Sequence, residues 1–141
     1  MDVRIRPHAL AGAVTPPPSK SMAHRLLLAA ALADGVSTVK NVALSQDIEA
    51  TLRCMAALGA SWERTDKSTL RVTGIGGKEK SFPELPRFDC GESGSTLRFF
   101  IPLALDGRGP VRLIGHGRLM QRPLTVYQNL FAPLGVVWRQ E

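Results

Sequence analysis

Two stretches of this 141-residue chain are apolar, or nearly so, on every side of a helix, and each opens a series of elements that occurs twice. In the first, Leu26, Leu27, Leu28, Ala29, Ala30, Ala31 and Leu32 leave no polar face on a helix predicted from Ser19 or Lys20 to about Ala33. The second, Gly94 to Leu105, is nearly all apolar, with Arg98 its one charge. A helix that is apolar all round belongs in an interior. Two of them limit the chain to folds that enclose helices on every side.

The elements after each helix are also duplicated. Asp34-Gly35 stops the first and Asp106-Gly107 the second. Val36–Val39 reads as a strand, and so does Val111–Ile114. Each copy then has an amphipathic helix. One runs from about Ser45, a plausible N-cap, to Leu58, with Ile48, Leu52, Met55 and Leu58 as its stripe. The other runs from Arg122 to about Ala132, with Pro123 at its first position and a stripe of Leu124, Tyr127, Leu130 and Phe131. Pro133 should end that helix early. Leu58-Gly59 matches Leu134-Gly135, and a tryptophan, Trp62 or Trp138, stands three residues after each glycine. The offsets agree: 73 from Arg25 to Arg98, 72 from Gly35 to Gly107 and 76 from Gly59 to Gly135.

This is an internal repeat of a helix–strand–helix–strand unit in an α/β (α+β) chain. The first copy adds strands at Ala60–Arg64 and Thr69–Thr73 around a turn at Asp66-Lys67-Ser68, then a glycine-rich loop to about Asp89. Repeat one is expected over about 19–89 and repeat two over about 90–141. The second copy reaches Glu141 without a counterpart to Thr69–Thr73, as a truncated piece would. Residues 1–18 read as an extended segment, with Val3-Arg4-Ile5-Arg6 alternating like an edge strand and Pro16-Pro17-Pro18 a stiff linker.

Composition narrows the partners. The chain is 44% hydrophobic and 21% charged, enough to bury a core. A net charge of +6 directs it to anions, whether nucleic acid, anionic lipid or acidic metabolites. The longest apolar run, Leu26 to Ala33, is far short of the roughly 20 residues that span a bilayer. The eight aromatic residues do not interleave with a basic stripe, so a stacking platform for nucleic acid is unsupported. Cys54 and Cys90 suggest two reduced thiols in a cytoplasmic protein. Only Cys90, in a glycine loop, has the setting of a nucleophile. His8, His24 and His116 have no metal-ligand spacing.

Three segments have the residues to bind an anion. Ser19-Lys20-Ser21 opens the first apolar helix, with His24-Arg25 a turn further on. Helix starts offer free N–H groups and a positive dipole end. Lys20 adds a charge, Ser21 a hydroxyl and Arg25 a planar fork. The plainer reading is an N-cap serine with two solvated bases, against which stands an arginine on an apolar helix, since a buried guanidinium needs a fixed partner. Cys90 to Arg98 opens the second, with Gly91 and Gly94 exposing backbone and Ser95, Thr96 and Arg98 supplying donors. It lacks the P-loop spacing. Arg122 stands at the third helix start and Asp47 at the matching place in the first copy. Each is equally read as an ordinary surface charge.

Together, Pro18-Ser19-Lys20-Ser21 with Arg25, the Ala33-Asp34-Gly35 stop, Asp47, the Gly91–Arg98 loop and Arg122-Pro123 resemble the 5-enolpyruvylshikimate-3-phosphate synthase family, in family order from Ala13 to Trp138. The resemblance implies an enolpyruvyl transferase-like inside-out barrel domain of three βαβαββ repeats, of which about two are present. It implies transfer of the enolpyruvyl group of phosphoenolpyruvate to the 5-hydroxyl of shikimate 3-phosphate, without metal or organic cofactor. Lys20 would be catalytic. Lys20, Ser21 and Arg25 would hold shikimate 3-phosphate, and Gly94 and Arg122 phosphoenolpyruvate or the inhibitor glyphosate. Asp47, Ser95, Thr96 and Arg98 would support them.

Two departures stand out. Glu92 replaces an Asn common in that loop, and a carboxylate there repels an anion unless it turns away or pairs with a base. Measured against the family, the 141 residues would also fall short of the third repeat and the second domain, where the resemblance places the acid/base carboxylates. The chain is therefore expected to bind weakly, not to turn over, and to self-associate through uncovered apolar faces. The rival readings are a UDP-sugar enolpyruvyl transferase, which carries Lys-Asn where Lys20-Ser21 stands, a basic nucleic-acid-binding module, and a non-catalytic assembly repeat.

Overall fold

The computed structural model describes residues 2–76, 85–105 and 109–140. Three serines start its three longest helices. Helix α1, Lys20–Leu32, has Ser19 as N-cap, its hydroxyl accepting from Met22 N. Helix α2, Gln46–Leu58, is capped in the same way by Ser45, and α3, Gly94–Leu103, by Ser93. Each cap satisfies one of the amides a helix start leaves free. Gly59 closes α2 at φ +108, in the left-handed region that glycine enters without penalty.

Strands β1 (Val36–Val39), β2 (Ser61–Arg64) and β3 (Leu70–Thr73) form one antiparallel sheet in the order β1-β3-β2. Val36 pairs with Thr73 and Val39 with Leu70, while Ser61 and Arg64 flank the same two residues from the other side. In β3 the pleat turns Leu70 and Val72 inward and Arg71 and Thr73 outward. After β3 the chain crosses the end of α1. Ile75 N and Gly76 N donate to the carbonyls of Ala31 and Ala33, which the helix itself leaves unpaired. Gly74 makes that crossing possible, because a Cβ there would run into the carbonyl oxygens of Ala33 and Ala30.

A second sheet pairs β4 (Arg87–Asp89) with β5 (Arg112–Ile114) in parallel, with α3 as the crossover. The glycine loop was expected to run unbroken to Asp89, so β4 is a correction. Three residues with one apolar side chain are too short for a period to register, yet that side chain, Phe88, is fully buried. Residues 77–84 of the loop, the Asp106-Gly107 stop and Glu141 lie outside the described residues. Val3–Arg6 does not form the expected edge strand. Its side chains are exposed, and four alternating residues make no strand without an edge to pair with.

The core is continuous through both copies. Leu27 and Ala31 of α1, Ile48, Leu52 and Met55 of α2, and Leu70 and Val72 of β3 meet Phe88, Phe100 and Ile101. The rings of Phe88 and Phe100 lie 5.1 Å apart. Helix α2 is buried on more than its apolar stripe, since Ala50, Thr51 and Cys54 are also enclosed. Helix α1 departs from expectation the other way. Met22, Leu26 and Leu32 are exposed, so one side of this apolar helix has no cover among the described residues.

The last helix starts later than expected. Arg122 precedes a proline, which pushes it out of the α region, to φ −78 and ψ 130. Arg122 therefore closes a 3-10 turn, Gly117–Gln121, and α4 spans Thr125–Phe131. Pro133 falls in a further 3-10 turn, Ala132–Leu134, so the helix does end early. Trp138 packs against Phe131 at 6.0 Å between ring centres, without the strand that holds Trp62.

Candidate functional site

The first turns of α1, α2 and α3 converge, and the 3-10 turn brings Arg122 to the same place. Between them is a cavity of about 320 Å³ lined by Lys20, Asp47, Glu92, Gly94, Ser95, Arg98 and Arg122. Three of these carry positive charge and two negative, so the lining is cationic by one charge. The free amides at the start of α3 add to that field.

Lys20 Nζ lies 2.6 Å from Asp47 Oδ2, joining the first turns of α1 and α2. Arg98 Nη1 donates to the Gly94 carbonyl at 3.2 Å, folding the side chain back over the start of its own helix. The absence of a side chain at Gly94 leaves room for both guanidinium groups. A Cβ there would lie 2.9 Å from Arg98 Nη1 and 3.0 Å from Arg122 Nη1. Glu92 lines the cavity but is engaged elsewhere. Its Oε2 accepts from Arg118 N at 3.3 Å and its Oε1 lies 3.8 Å from His116 Nδ1.

The structure thus brings together Lys20, Asp47, Gly94, Ser95, Arg98 and Arg122 of the residues singled out in the sequence, and sets three apart. Ser21 and Arg25 are exposed and do not line the cavity. Arg25 was expected to be buried. Instead its Nη1 donates to the Ser21 carbonyl at 2.8 Å, and the guanidinium rests over the Phe99 ring at 5.4 Å from its centre. Thr96 is wholly buried and faces inward, its hydroxyl within hydrogen-bond reach of Ser93, Thr51 and the Asp47 carbonyl. Cys90 is wholly buried too, out of reach as a nucleophile. Hydrogen bonding to Cys90, with burial, pushes the Cys54 thiol well up, so it stays protonated.

His24 and Ser93 lie within two of the candidate segments but were assigned no role from the sequence, and Thr51 was not singled out at all. His24 is buried with its Nδ1 2.8 Å from Thr51 Oγ1. Burial lowers its pKa below the ordinary imidazole value; Lys20 and Arg25 act in the same direction and Asp47 against it. The available signal was a histidine at an otherwise apolar helix position.

The family model for EPSP synthase (3-phosphoshikimate 1-carboxyvinyltransferase) matches residues 5–139. The chain belongs to the EPSP synthase family. It is 43% identical to a 3-phosphoshikimate 1-carboxyvinyltransferase of Clostridium novyi (strain NT), over 98% of this chain and 33% of that protein. A protein of the same name from Clostridium beijerinckii is 45% identical over 96% of this chain and 32% of its own length. The fold agrees with an EPSP synthase structure from Acinetobacter baumannii at a TM-score of 0.72 and 24% identity, over 89% of this chain and 28% of that one. The chain spans about a third of the length of the EPSP synthase relatives it matches. The α/β enolpyruvyl transferase-like fold expected from the motifs is the fold found. Among the described residues no helix is long and apolar enough to cross a membrane.

Proposed function

We propose that this chain supplies one wall of the substrate cleft of a 3-phosphoshikimate 1-carboxyvinyltransferase in the cytoplasm. The reaction joins the enolpyruvyl group of phosphoenolpyruvate to the 5-hydroxyl of shikimate 3-phosphate and releases phosphate. The observation that carries the reading is the convergence of Lys20, Arg98, Arg122 and the start of α3 on one small cavity in a chain of this family. Both substrates are phosphorylated carboxylates. Holding them side by side requires fixed cations and helix dipoles to offset their repulsion.

In this reading Gly94 and Arg122, with Arg98 and Ser95 beside them, receive phosphoenolpyruvate, and glyphosate would compete there. Lys20 lies between this place and shikimate 3-phosphate, which Ser21 and Arg25 contact from the exposed side of α1. The cavity supports the first group directly. Ser21 and Arg25 would need Arg25 to leave the Phe99 ring and turn toward the ligand.

Residues 19–141 form two repeats of a larger domain in this reading, and the rest of the cleft belongs to a longer enzyme. The 141-residue chain alone then binds phosphoenolpyruvate or shikimate 3-phosphate weakly and does not release phosphate from the pair. Titration of each substrate against labelled chain, beside a phosphate-release assay, tests this. Weak binding lost in Arg122→Ala supports the reading. Turnover by the isolated chain, or binding indifferent to both Arg122→Ala and Lys20→Ala, overturns it.

A further inference from the structure

Beneath the cavity lies a buried polar chain that crosses three helices. His24 Nδ1 is 2.8 Å from Thr51 Oγ1, which is 2.8 Å from Thr96 Oγ1. Thr96 Oγ1 is in turn 2.8 Å from Ser93 Oγ and 3.2 Å from the Asp47 carbonyl oxygen. All four side chains are buried, so bulk solvent does not reach them.

The protons of this chain can be counted. A hydroxyl has one proton to donate. Thr51 and Thr96 can each donate to the other. The contacts to Ser93 Oγ and the Asp47 carbonyl have Thr96 as donor, so the arrangement with the most bonds sends the Thr96 proton there and leaves none for Thr51. Thr51 must then donate to Thr96, and has none left for His24. The imidazole must donate from Nδ1. Its Nε2 is left as a bare lone pair, and Nε2 is the ring nitrogen that has no hydrogen-bond partner. A charged ring would bury an unpartnered N–H in apolar surroundings, at a cost well above that of an unpaired acceptor.

Thr96 links both walls of the cavity. Its amide is the one capped by Ser93, immediately before Gly94. Its hydroxyl holds the backbone of Asp47, whose carboxylate holds Lys20. We propose that His24 is a positioning residue for the anion cavity: its Nδ1–H fixes the direction of the Thr51–Thr96–Ser93 hydroxyl chain, and that chain sets the starts of α2 and α3 against α1. The inference rests on the reading of the cavity as an anion site.

The test uses the 141-residue chain with inorganic phosphate as probe. Asn places an amide N–H where the imidazole carries Nδ1, whereas Gln displaces it and Leu has none. In a histidine-labelled sample, nitrogen NMR at neutral pH should find the His24 proton on Nδ1. Titration followed at the Gly94 amide should give His24→Asn the parent affinity. His24→Gln and His24→Leu should bind about fivefold more weakly, the effect of one buried neutral hydrogen bond. Thr51→Val, which interrupts the chain without changing its shape, should match the Leu variant and covers the case in which Leu does not fold. A proton on Nε2, or folded Leu and Val variants that bind as tightly as the Asn variant, overturns the proposal. If the parent takes up no phosphate, the anion reading fails, and exchange of the Thr96 amide decides the positioning role. Faster exchange in the Gln, Leu and Val variants but not in the Asn variant supports it; equal exchange in all overturns it.

Discussion

Lys20 Nζ lies 2.6 Å from Asp47 Oδ2, and the pair lines the cavity with half of the lysine and a third of the aspartate side chain open to solvent. The two residues are 27 apart in sequence and occupy the first turns of different helices. Exposed pairs of this kind contribute only about 0–1 kcal/mol to stability. Its larger consequence is electrostatic, because the carboxylate offsets one of the three cations facing the cavity.

Asp47→Asn keeps the shape of the side chain and removes that offset. Phosphate and phosphoenolpyruvate should bind about two- to fivefold more tightly at low salt, with the gain fading as salt rises. The melting temperature should hardly move. Calorimetric titration at two ionic strengths checks both. Weaker binding would mean that Asp47 serves the ligand directly, as acceptor for one of its protons.

Gly94→Ala separates stability from binding. Inside a helix alanine is favoured over glycine by about 0.5–1 kcal/mol through lower chain entropy, and at the first position of α3 the gain is at most that. Its methyl would stand 2.9 Å from Arg98 Nη1 and 3.0 Å from Arg122 Nη1, so both guanidinium groups must shift outward. The variant should melt at or above the parent temperature and bind phosphoenolpyruvate about tenfold more weakly, the effect of losing one charge-assisted contact. Differential scanning fluorimetry and a ligand titration on the same sample read the two effects.

How much of this was legible depended on chain distance. Local signals placed α1 and α2 to within a residue, because serine caps and Gly59 are written at their ends. The stripe of Ile48, Leu52, Met55 and Leu58 identified the inward face of α2. The start of α4 was misplaced because Pro123 suits a first helical turn while also barring Arg122 from it, and only the fold decides between them. Motif order singled out Lys20, Gly94 and Arg122, which line one cavity. It did not show that Arg25 turns outward onto Phe99 or that Thr96 turns inward onto Thr51, since both depend on packing between helices far apart in sequence.

The second copy leaves a wide apolar hollow of about 1130 Å³ between α3, β5 and α4, lined in part by Leu97, Ile101, Leu113, Phe131 and Trp138. Val126, Leu130, Leu134 and Val137 are exposed in the same copy. Uncovered apolar surface of this kind drives association. The isolated chain should therefore scatter light as dimers or larger species at micromolar concentration and bind an apolar-surface dye. Leu134→Lys with Val137→Lys should shift it toward monomer. A monodisperse monomer without dye binding would show that this surface is covered from within the chain.

The stability of the chain should depend on pH through His24. Burial is the main cause holding its pKa below the ordinary value of 6.5, with Lys20 and Arg25 acting in the same direction and Asp47 against it. In the unfolded chain the imidazole takes up a proton as pH falls through about 6.5, while the folded chain resists until its own lower pKa is reached. The unfolded state then binds more protons, so stability must rise with pH across that interval. It is complete above pH 6.5 and is lost as pH falls toward the folded value. Asp66 does not confuse the window, because the Ser68 amide holds its carboxyl below the usual carboxylate range. Urea unfolding at a series of pH values from 7.5 down to 5 should give a falling midpoint in the parent. His24→Asn, which has no proton to take up, should give a nearly level one over the same interval. Equal slopes in the two proteins would assign the pH dependence to another group and leave His24 ionising alike in both states.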